Sequence, residues 1–244
     1  MDKNRSSALI PGFGVSAAIL DIQMPENALT TLPKPSVLLY DWDNTLVDGW
    51  SAITGALNAV FDAFSMPRWT DTDTRQRVRT SLRDSFPPMF GAEWERARDL
   101  FYATLTQGHL DHLTPLPDVA ELLQAGAAWP QGVVSNKAGA FLRREVAHLG
   151  WAGHFRTVIG AGDATADKPA PDSILFALLQ LGHAPDRSVW YLGDTASDMQ
   201  AARAAGVTAV LVGDASHDGG IDNAAPDIHM PSTRMLIAQL RLYV

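Results

Sequence analysis

The chain has 244 residues and a formal net charge of −8, which leaves no basic footprint for nucleic acid, so we predict no nucleic-acid partner. Hydrophobic residues make up 46% and charged residues 19%, a balance that is typical of a globular core and argues against a disordered polymer. The absence of cysteine excludes disulfides, thiolate nucleophiles and Cys-based zinc sites, and it is compatible with a reducing, cytoplasmic location, which we predict.

The first 35 residues are predicted to be an N-terminal leader (residues 1–35) that ends in the run Leu32–Pro35. The mildly apolar stretch Ala8–Leu20 is interrupted by Pro11, which disfavours a secretory signal. No apolar run approaches the roughly 20 residues that cross a bilayer. We therefore predict no membrane partner.

The run Val37–Tyr40 predicts a buried strand, and helical patterns follow it. Apolar residues recur every three or four positions from Ile53 to Phe64, which predicts an amphipathic helix that ends near Pro67. Two further helical stretches are predicted over 75–83 and 93–105, separated by Phe86-Pro87-Pro88.

No convincing strand pattern lies between Val47 and Pro115. This part of the chain is therefore predicted to be a helical cap, residues 48–115, inserted into a catalytic core formed by residues 36–47 and 116–244.

The remaining chain alternates between helix and strand, a pattern that predicts a parallel sheet covered on both faces. The predicted fold class is α/β, a Rossmann-like parallel sheet with helices on both faces plus an inserted all-helical cap. The predicted strands cover 132–135, 157–159, 189–192 and 209–212, and the predicted helices cover 118–124, 138–149, 173–181, 198–205 and a last stretch from Ser232 to Leu242.

Polar residues follow the predicted strands at the ends where open parallel sheets bind their ligands. Asp41 and Asp43 follow the first strand, and because side chains of a strand alternate between faces, they can point the same way. Ser135 and Asp194 come at the ends of two later strands, and Lys168 lies in a long connection. The sequence therefore predicts one site at this edge of the sheet.

This set of side chains fits phosphoryl transfer. One carboxylate can attack phosphorus and form an aspartyl-phosphate, while a second moves a proton. A divalent cation must separate the anionic groups, and Asp194 and Asp198 offer the hard oxygen ligands that suit Mg²⁺. Lys168 would neutralise charge on the phosphoryl oxygens, and Ser135 with backbone N–H groups of residues 42–46 would donate hydrogen bonds to them.

Four ordered motifs contain these residues: Asp41-Trp42-Asp43-Asn44-Thr45, Val133-Val134-Ser135-Asn136-Lys137, Asp167-Lys168-Pro169 and Gly193-Asp194-Thr195-Ala196-Ser197-Asp198. Over about residues 36–215 the chain resembles the haloacid dehalogenase superfamily, in particular its phosphatase branch. The resemblance implies that Asp41 is the nucleophile and Asp43 the general acid and base.

The same resemblance implies that Ser135 and Lys168 hold the phosphoryl group. Asp194 and Asp198 would bind Mg²⁺, helped by the nucleophile Asp41 and by the backbone carbonyl of Asp43.

The position of the cap between the first two motifs is similar to that in the subgroup that contains phosphoglycolate phosphatase. Asn136-Lys137 and the run Asp198–Gly206 also resemble that subgroup. The family more often has glycine where this chain has Asn44. Since asparagine tolerates unusual backbone angles, we expect the turn to survive.

Substrate contacts are predicted for Thr45, Asn136 and Lys137, which belong to the motifs, and for Arg79 and Arg83. The two arginines are four positions apart and share a face of a predicted helix. An arginine there would suit a leaving group with a second negative charge, such as a carboxylate. A solvated surface stripe is the alternative for each arginine.

Related chemistries can be weighed from single residues. The dehalogenases proper lack a carboxylate equivalent to Asp43, so its presence disfavours them. The phosphonate-cleaving relatives form a Schiff base with a lysine of the cap, and the absence of lysine between Val47 and Pro115 excludes that reaction. Sugar phosphomutases of the β-phosphoglucomutase type usually have a second acidic residue where this chain has Gly193, which disfavours a mutase but leaves it open. A non-catalytic binding protein on the same fold also remains an alternative. The predicted function is a Mg²⁺-dependent phosphatase, a phosphoric monoester hydrolase, that acts on a small phosphorylated metabolite such as phosphoglycolate through an aspartyl-phosphate.

Overall fold

A six-stranded parallel sheet forms the centre of the protein. The computed structural model describes residues 32–78, 80–108, 110 and 113–244, so most of the predicted leader and Arg79 lie outside the described residues. The strands are β1 (Val37–Tyr40), β2 (Val47–Asp48), β3 (Thr114–Pro115), β4 (Gln131–Ala138), β5 (Thr157–Ala161), β6 (Val189–Gly193), β7 (Thr208–Val212) and β8 (Ile228–Met230).

The order of strands in the sheet is β5-β4-β1-β6-β7-β8, and every neighbouring pair runs parallel. All four residues of β1 are buried, because β1 lies inside the sheet and both faces of the sheet are covered. This burial explains why β1 reads as a continuous apolar run rather than an alternating one. The predicted α/β fold class is confirmed. The edge strand β8 was not predicted, because it is only three residues long.

Helices follow the strands of the sheet and cover it. The side chains of Ile174, Leu178 and Met199, from two of these helices, join Leu39 and Tyr191 in one buried apolar cluster. The helices are α1 (Trp50–Ala63), α2 (Asp71–Arg77), α3 (Leu82–Phe90), α4 (Trp94–Gly108), α5 (Val119–Ala125), α6 (Gly139–His148), α7 (Asp172–Leu181), α8 (Ala196–Ala204), α9 (Gly220–Ala224) and α10 (Thr233–Arg241).

The helices α1–α4 form a helical segment between β2 and β3, which pair antiparallel at its base. The segment has an apolar cluster of its own, which includes Leu57, Phe61, Phe86 and Phe101. By its contacts the chain from Pro33 to Val244 forms one compact unit. The assignment of residues 48–115 as a cap and of 36–47 with 116–244 as a catalytic core stays a prediction.

The helix predicted over 75–83 is wrong. In the structure α2 ends at Arg77, Val78 has extended backbone angles, and α3 begins only at Leu82. A β-branched valine is a weak helix former, and at this position it changes the direction of the chain.

Pro87 and Pro88, which we predicted between two helices, lie inside α3. Proline disfavours a helix interior because it removes a hydrogen bond and crowds the preceding turn. Phe86 and Phe90 are one turn apart, both are buried, and their ring centroids are 4.9 Å apart. We infer that this aromatic packing outweighs the cost of the prolines. No helix in the described ranges is both long enough and apolar enough to cross a membrane.

Candidate active site

A cavity of about 160 Å³ lies at the carboxyl edge of the sheet. Asp41 and Asp43, which follow β1, line it together with Ser135 of β4. Lys168, from the connection between β5 and α7, and Asp194, directly after β6, also line it. The structure therefore brings together the five residues predicted at this edge, because parallel strands end on the same side of a sheet.

The ammonium group of Lys168 is buried between two carboxylates. Its Nζ donates hydrogen bonds to Asp41 Oδ1 at 2.6 Å, to Asp198 Oδ1 at 2.7 Å and to Tyr191 Oη at 2.9 Å. Burial acts to lower the pKa of Lys168, but the charges of Asp198 and Asp41 outweigh it and raise the pKa well above its usual value. Lys168 is therefore a lasting positive charge beside Asp41. Tyr191 was missed by the sequence analysis, because it stands in an apolar run.

Three buried carboxylates lie close together next to this lysine. One oxygen from each of Asp41, Asp194 and Asp198 lies within 4.8 Å of the others, so that the group could hold a metal ion. Burial raises the pKa of Asp41 to about 8; the charge of Lys168 opposes this rise, and the charges of Asp198 and Asp194 add to it. Three carboxylates share one ammonium group, and a divalent cation would neutralise the excess negative charge. The donor set of carboxylate oxygens fits Mg²⁺.

Two residues of the first motif hold Asp194. Asn44 Nδ2 donates to Asp194 Oδ2 at 2.9 Å, and Thr45 Oγ1 donates to Asp194 Oδ1 at 3.2 Å. Thr45, predicted to contact substrate, therefore contacts a potential metal ligand here. Asn44 has a φ of 68°, so the expected left-handed turn is present.

Asp198 is fixed by the start of α8. Thr195 and Asp198 form a capping box, in which each side chain accepts a hydrogen bond from the other's backbone N–H. Gly193 leaves room for this arrangement, because a Cβ atom at Gly193 would lie 2.4 Å from Asp198 Cγ. Glycine before Asp194 is therefore required by the packing of Asp198.

Asp43 belongs to a second charged group. Lys137 Nζ donates to Asp43 Oδ1 at 2.8 Å and to Glu145 Oε2 at 2.7 Å. Trp42 Nε1 also donates to Glu145 Oε2, at 2.6 Å. Burial raises the pKa of Glu145, although the charge of Lys137 opposes the rise. Lys137, predicted to contact substrate, lines the cavity and holds Asp43.

Glu145 and the indole of Trp42 were missed by the sequence analysis. Glu145 lies on α6 and is almost completely buried. A single glutamate in a helix reads as a solvated residue, so only its position eight residues after Lys137, on the helix that follows the strand of Lys137, offered a signal. Trp42 stands between the two aspartates of the first motif, where it reads as part of the core.

Asn136 holds the backbone of Lys168. Its Oδ1 accepts from Lys168 N, and its Nδ2 donates to Lys168 O, both at 2.9 Å. Ser135 Oγ accepts from Lys137 N at 3.2 Å. Asn136 was predicted to contact substrate; it lines the cavity and also positions Lys168.

Arg83 pairs with a buried carboxylate outside the described lining of the cavity. Its Nε lies 2.9 Å from Asp167 Oδ2, and Asp167 Oδ1 accepts from Gly162 N at 3.2 Å. Arg83 therefore ties α3 to the connection that carries Lys168. The guanidinium of Arg83 is engaged by Asp167 in this arrangement, and its contact with substrate stays a prediction.

Comparisons with known proteins agree with this geometry. Residues 38–212 match the haloacid dehalogenase-like hydrolase family. A phosphoglycolate phosphatase 1 from Pseudomonas aeruginosa is 27% identical over 216 residues, which cover 83% of this chain and 79% of that protein. A phosphoglycolate phosphatase from Nitrosococcus oceani is 29% identical over 212 residues, 80% of this chain and 92% of that protein.

The fold is similar to that of a haloacid dehalogenase-like hydrolase from Streptococcus pneumoniae. The TM-score is 0.72 at 20% identity, and the match covers 84% of this chain and 97% of that one.

A parallel α/β sheet with a buried carboxylate, a lysine and further carboxylates at its carboxyl edge fits a hydrolase of the phosphoryl-transfer class, and the chain belongs to the haloacid dehalogenase-like hydrolases. Within that family it is a phosphatase, a phosphoric monoester hydrolase.

Proposed function

We propose that the protein is a Mg²⁺-dependent phosphatase of a small phosphorylated metabolite and that it works through an aspartyl-phosphate on Asp41. One observation carries this proposal. The buried carboxylate of Asp41 lines the cavity, lies 2.6 Å from Lys168 Nζ, and shares its surroundings with Asp194 and Asp198.

The reaction divides into two displacements. Asp41 attacks phosphorus and forms the aspartyl-phosphate, while the bond from phosphorus to the alcohol oxygen breaks and Asp43 gives its proton to that oxygen. Asp43 then takes a proton from water, the water oxygen attacks phosphorus, and the Asp41 carboxylate is released with inorganic phosphate. Lys168 neutralises charge on Asp41 and the phosphoryl oxygens, and Ser135 donates a hydrogen bond to one of them.

Mg²⁺ would be held by Asp41, Asp194 and Asp198 with the backbone carbonyl of Asp43, and it would offset the repulsion between carboxylate and phosphate. We expect EDTA to stop phosphate release and added Mg²⁺ to restore it. Asp198→Asn should raise the Mg²⁺ concentration for half-maximal activity by about tenfold or more, since it weakens the charge of the site. Phosphate release from a panel of metabolite phosphates measures this, with phosphoglycolate, the substrate named for the relatives, as the reference compound.

The exposed Asp222 gives a matched control, because Asp222→Asn removes an equal charge far along the chain. Full turnover in EDTA would contradict the metal requirement. Isomerisation of a sugar phosphate without phosphate release would favour the mutase, and binding without turnover would favour the non-catalytic protein. The predicted cytoplasmic location belongs to the same proposal.

Glu145 is proposed as a positioning residue, because it reaches Asp43 through Lys137. Glu145→Gln keeps the shape of the side chain but removes one of the two carboxylates that Lys137 contacts. We expect kcat for an alkyl phosphate at pH 7 to fall about tenfold and the pH profile of kcat to change. The pH profile with p-nitrophenyl phosphate, whose leaving group needs less acid help, should change less.

Glu121→Gln serves as the control for that variant, because Glu121 is an exposed helical glutamate that pairs with Arg241. An unchanged pH profile in Glu145→Gln, with only a loss of thermal stability, would show that Glu145 has a structural role alone.

A further inference from the structure

The side chains that line the cavity fall into two groups. The polar group comes from the edge of the sheet and surrounds Asp41. The apolar group comes from α1, α3, α4, α6 and the residue Val78 before α3. Its members are Ile53, Val78, Leu82, Phe101, Leu105 and Phe141.

Aromatic rings extend this apolar group. Tyr102 and Phe141 both line the cavity, and their rings stack with centroids 5.1 Å apart and planes 17° from parallel. Trp50 lines it as well, and its Nε1 is buried without a hydrogen-bond acceptor among the described residues. This part of the cavity therefore offers flat apolar surface, the hydroxyls of Tyr102 and Thr80, and the buried N–H donor of Trp50, which an uncharged oxygen would satisfy.

Among the residues that the structure describes, the cations near the cavity are already paired. Those that line it are Lys137 and Lys168, and each contacts two carboxylates. Arg83 contacts Asp167 and Arg75 contacts Asp48. Against the described side chains a carboxylate on the leaving group would thus lose its water without gaining a free cation, and burial of an unpaired charge is strongly unfavourable.

We propose that the substrate is the phosphate monoester of an uncharged, largely apolar alcohol or phenol with no carboxylate of its own. The inference rests on the proposed phosphatase function and names its substrate class. The volume of the cavity, about 160 Å³, has to hold the phosphoryl group as well, so it favours a compact leaving group.

Three esters test the proposal with the full-length enzyme and Mg²⁺: benzyl phosphate, 4-carboxybenzyl phosphate and phosphoglycolate. The first two differ only in one carboxylate. We expect kcat/KM for benzyl phosphate to exceed that of both acidic esters by roughly tenfold or more, because the apolar side chains reject the unpaired charge. Phosphate release measures all three rates.

Leu82→Ala adds a test of the apolar surface itself. It should raise KM for benzyl phosphate by roughly tenfold and lower kcat/KM for phosphoglycolate by a smaller factor, because the larger apolar ester buries more surface against Leu82. The control is Leu179→Ala, which truncates a leucine that is 74% exposed.

Two outcomes would overturn the proposal in different ways. If phosphoglycolate or 4-carboxybenzyl phosphate is the best ester, the substrate class is wrong while the phosphatase stands; loss of that preference in Arg79→Ala would assign the carboxylate to Arg79. If the folded enzyme releases phosphate from none of the three, the proposed function itself fails with it.

Discussion

Asp41→Asn is expected to lower phosphate release by about a thousandfold or more, because an amide cannot act as the nucleophile. The substitution keeps the volume of the side chain, and the amide oxygen can still accept the hydrogen bond that Lys168 Nζ donates at 2.6 Å. The fold should therefore be retained. Turnover of an alkyl phosphate with saturating Mg²⁺ is the measurement, with Asp222→Asn as the control.

The same variant makes a prediction for stability. Burial raises the pKa of Asp41 to about 8 in the fold, above the roughly 3.9 of an unperturbed aspartate. In protein without metal, ionisation of Asp41 therefore opposes folding, and stability falls as the pH rises between these two values. We expect Asp41→Asn to unfold in EDTA at pH 8 at the same temperature as the unmodified protein or at a higher one.

If Asp41→Asn retained most of the original activity towards an alkyl phosphate, this result would contradict the covalent mechanism. If the variant loses activity and also unfolds, a second measurement tests the assignment of Asp41 as the nucleophile. Fluoroberyllate mimics the phosphorylated aspartate, and its Mg²⁺-dependent binding should occur in the unmodified protein and be lost in the variant.

Lys168→Met is expected to have the second large effect, on both activity and stability. Lys168 donates hydrogen bonds to two buried carboxylates and to Tyr191, and these groups would lose their cation. Removing one partner of a buried ion pair typically costs about 3–5 kcal/mol, so the free energy of unfolding should fall by an amount of that order. Activity should fall with it by about a thousandfold, since the phosphoryl group also loses its positive charge.

Denaturant unfolding and phosphate release measure the two effects. Lys34→Met is the matched control, because Lys34 is an exposed lysine that contacts only a backbone carbonyl in the hydrogen bonds of the described residues. Lys168→Arg keeps the charge and should recover stability more than activity, since a planar guanidinium differs in shape from the compact ammonium group that lies between Asp41 and Asp198. Normal turnover in Lys168→Met would rule out a role for this lysine in catalysis.

The two charged groups of the site are built around different lysines. Lys168 joins Asp41, the proposed nucleophile, to Asp198, whereas Lys137 joins Asp43, the proposed general acid and base, to Glu145. Each of the two carboxylates proposed to act in the reaction thus has a lysine of its own. We infer that this separation allows the two carboxylates to act in different parts of the reaction.

The helical segment contacts the site through two arginines. Arg75 Nη1 donates to Asn44 Oδ1 at 3.1 Å, and Asn44 in turn donates to Asp194. Arg83 pairs with Asp167, the neighbour of Lys168. Both contacts use residues of the sequence motifs, so the position of the helical segment is linked to the geometry of the site.

Most strands of the sheet and the residues of its polar edge could be predicted from the amino-acid pattern alone. Val37–Tyr40 reads as a buried strand because both faces of the sheet are covered. Asp41, Ser135 and Asp194 could be placed together because each follows a strand of a parallel sheet, where position along the chain fixes position at the edge. These properties depend on local pattern and on the regular geometry of the fold.

The contacts of those residues depend on how the helices and loops pack in three dimensions. Glu145 faces Lys137 because α6 packs against the sheet, and Arg83 reaches Asp167 because α3 lies beside the connection after β5. The passage of α3 through Pro87 also depends on packing, here on the burial of Phe86 and Phe90. Contacts of this kind join residues far apart in the chain. The periodicity of the sequence does not predict them, because each depends on how separate elements pack in three dimensions.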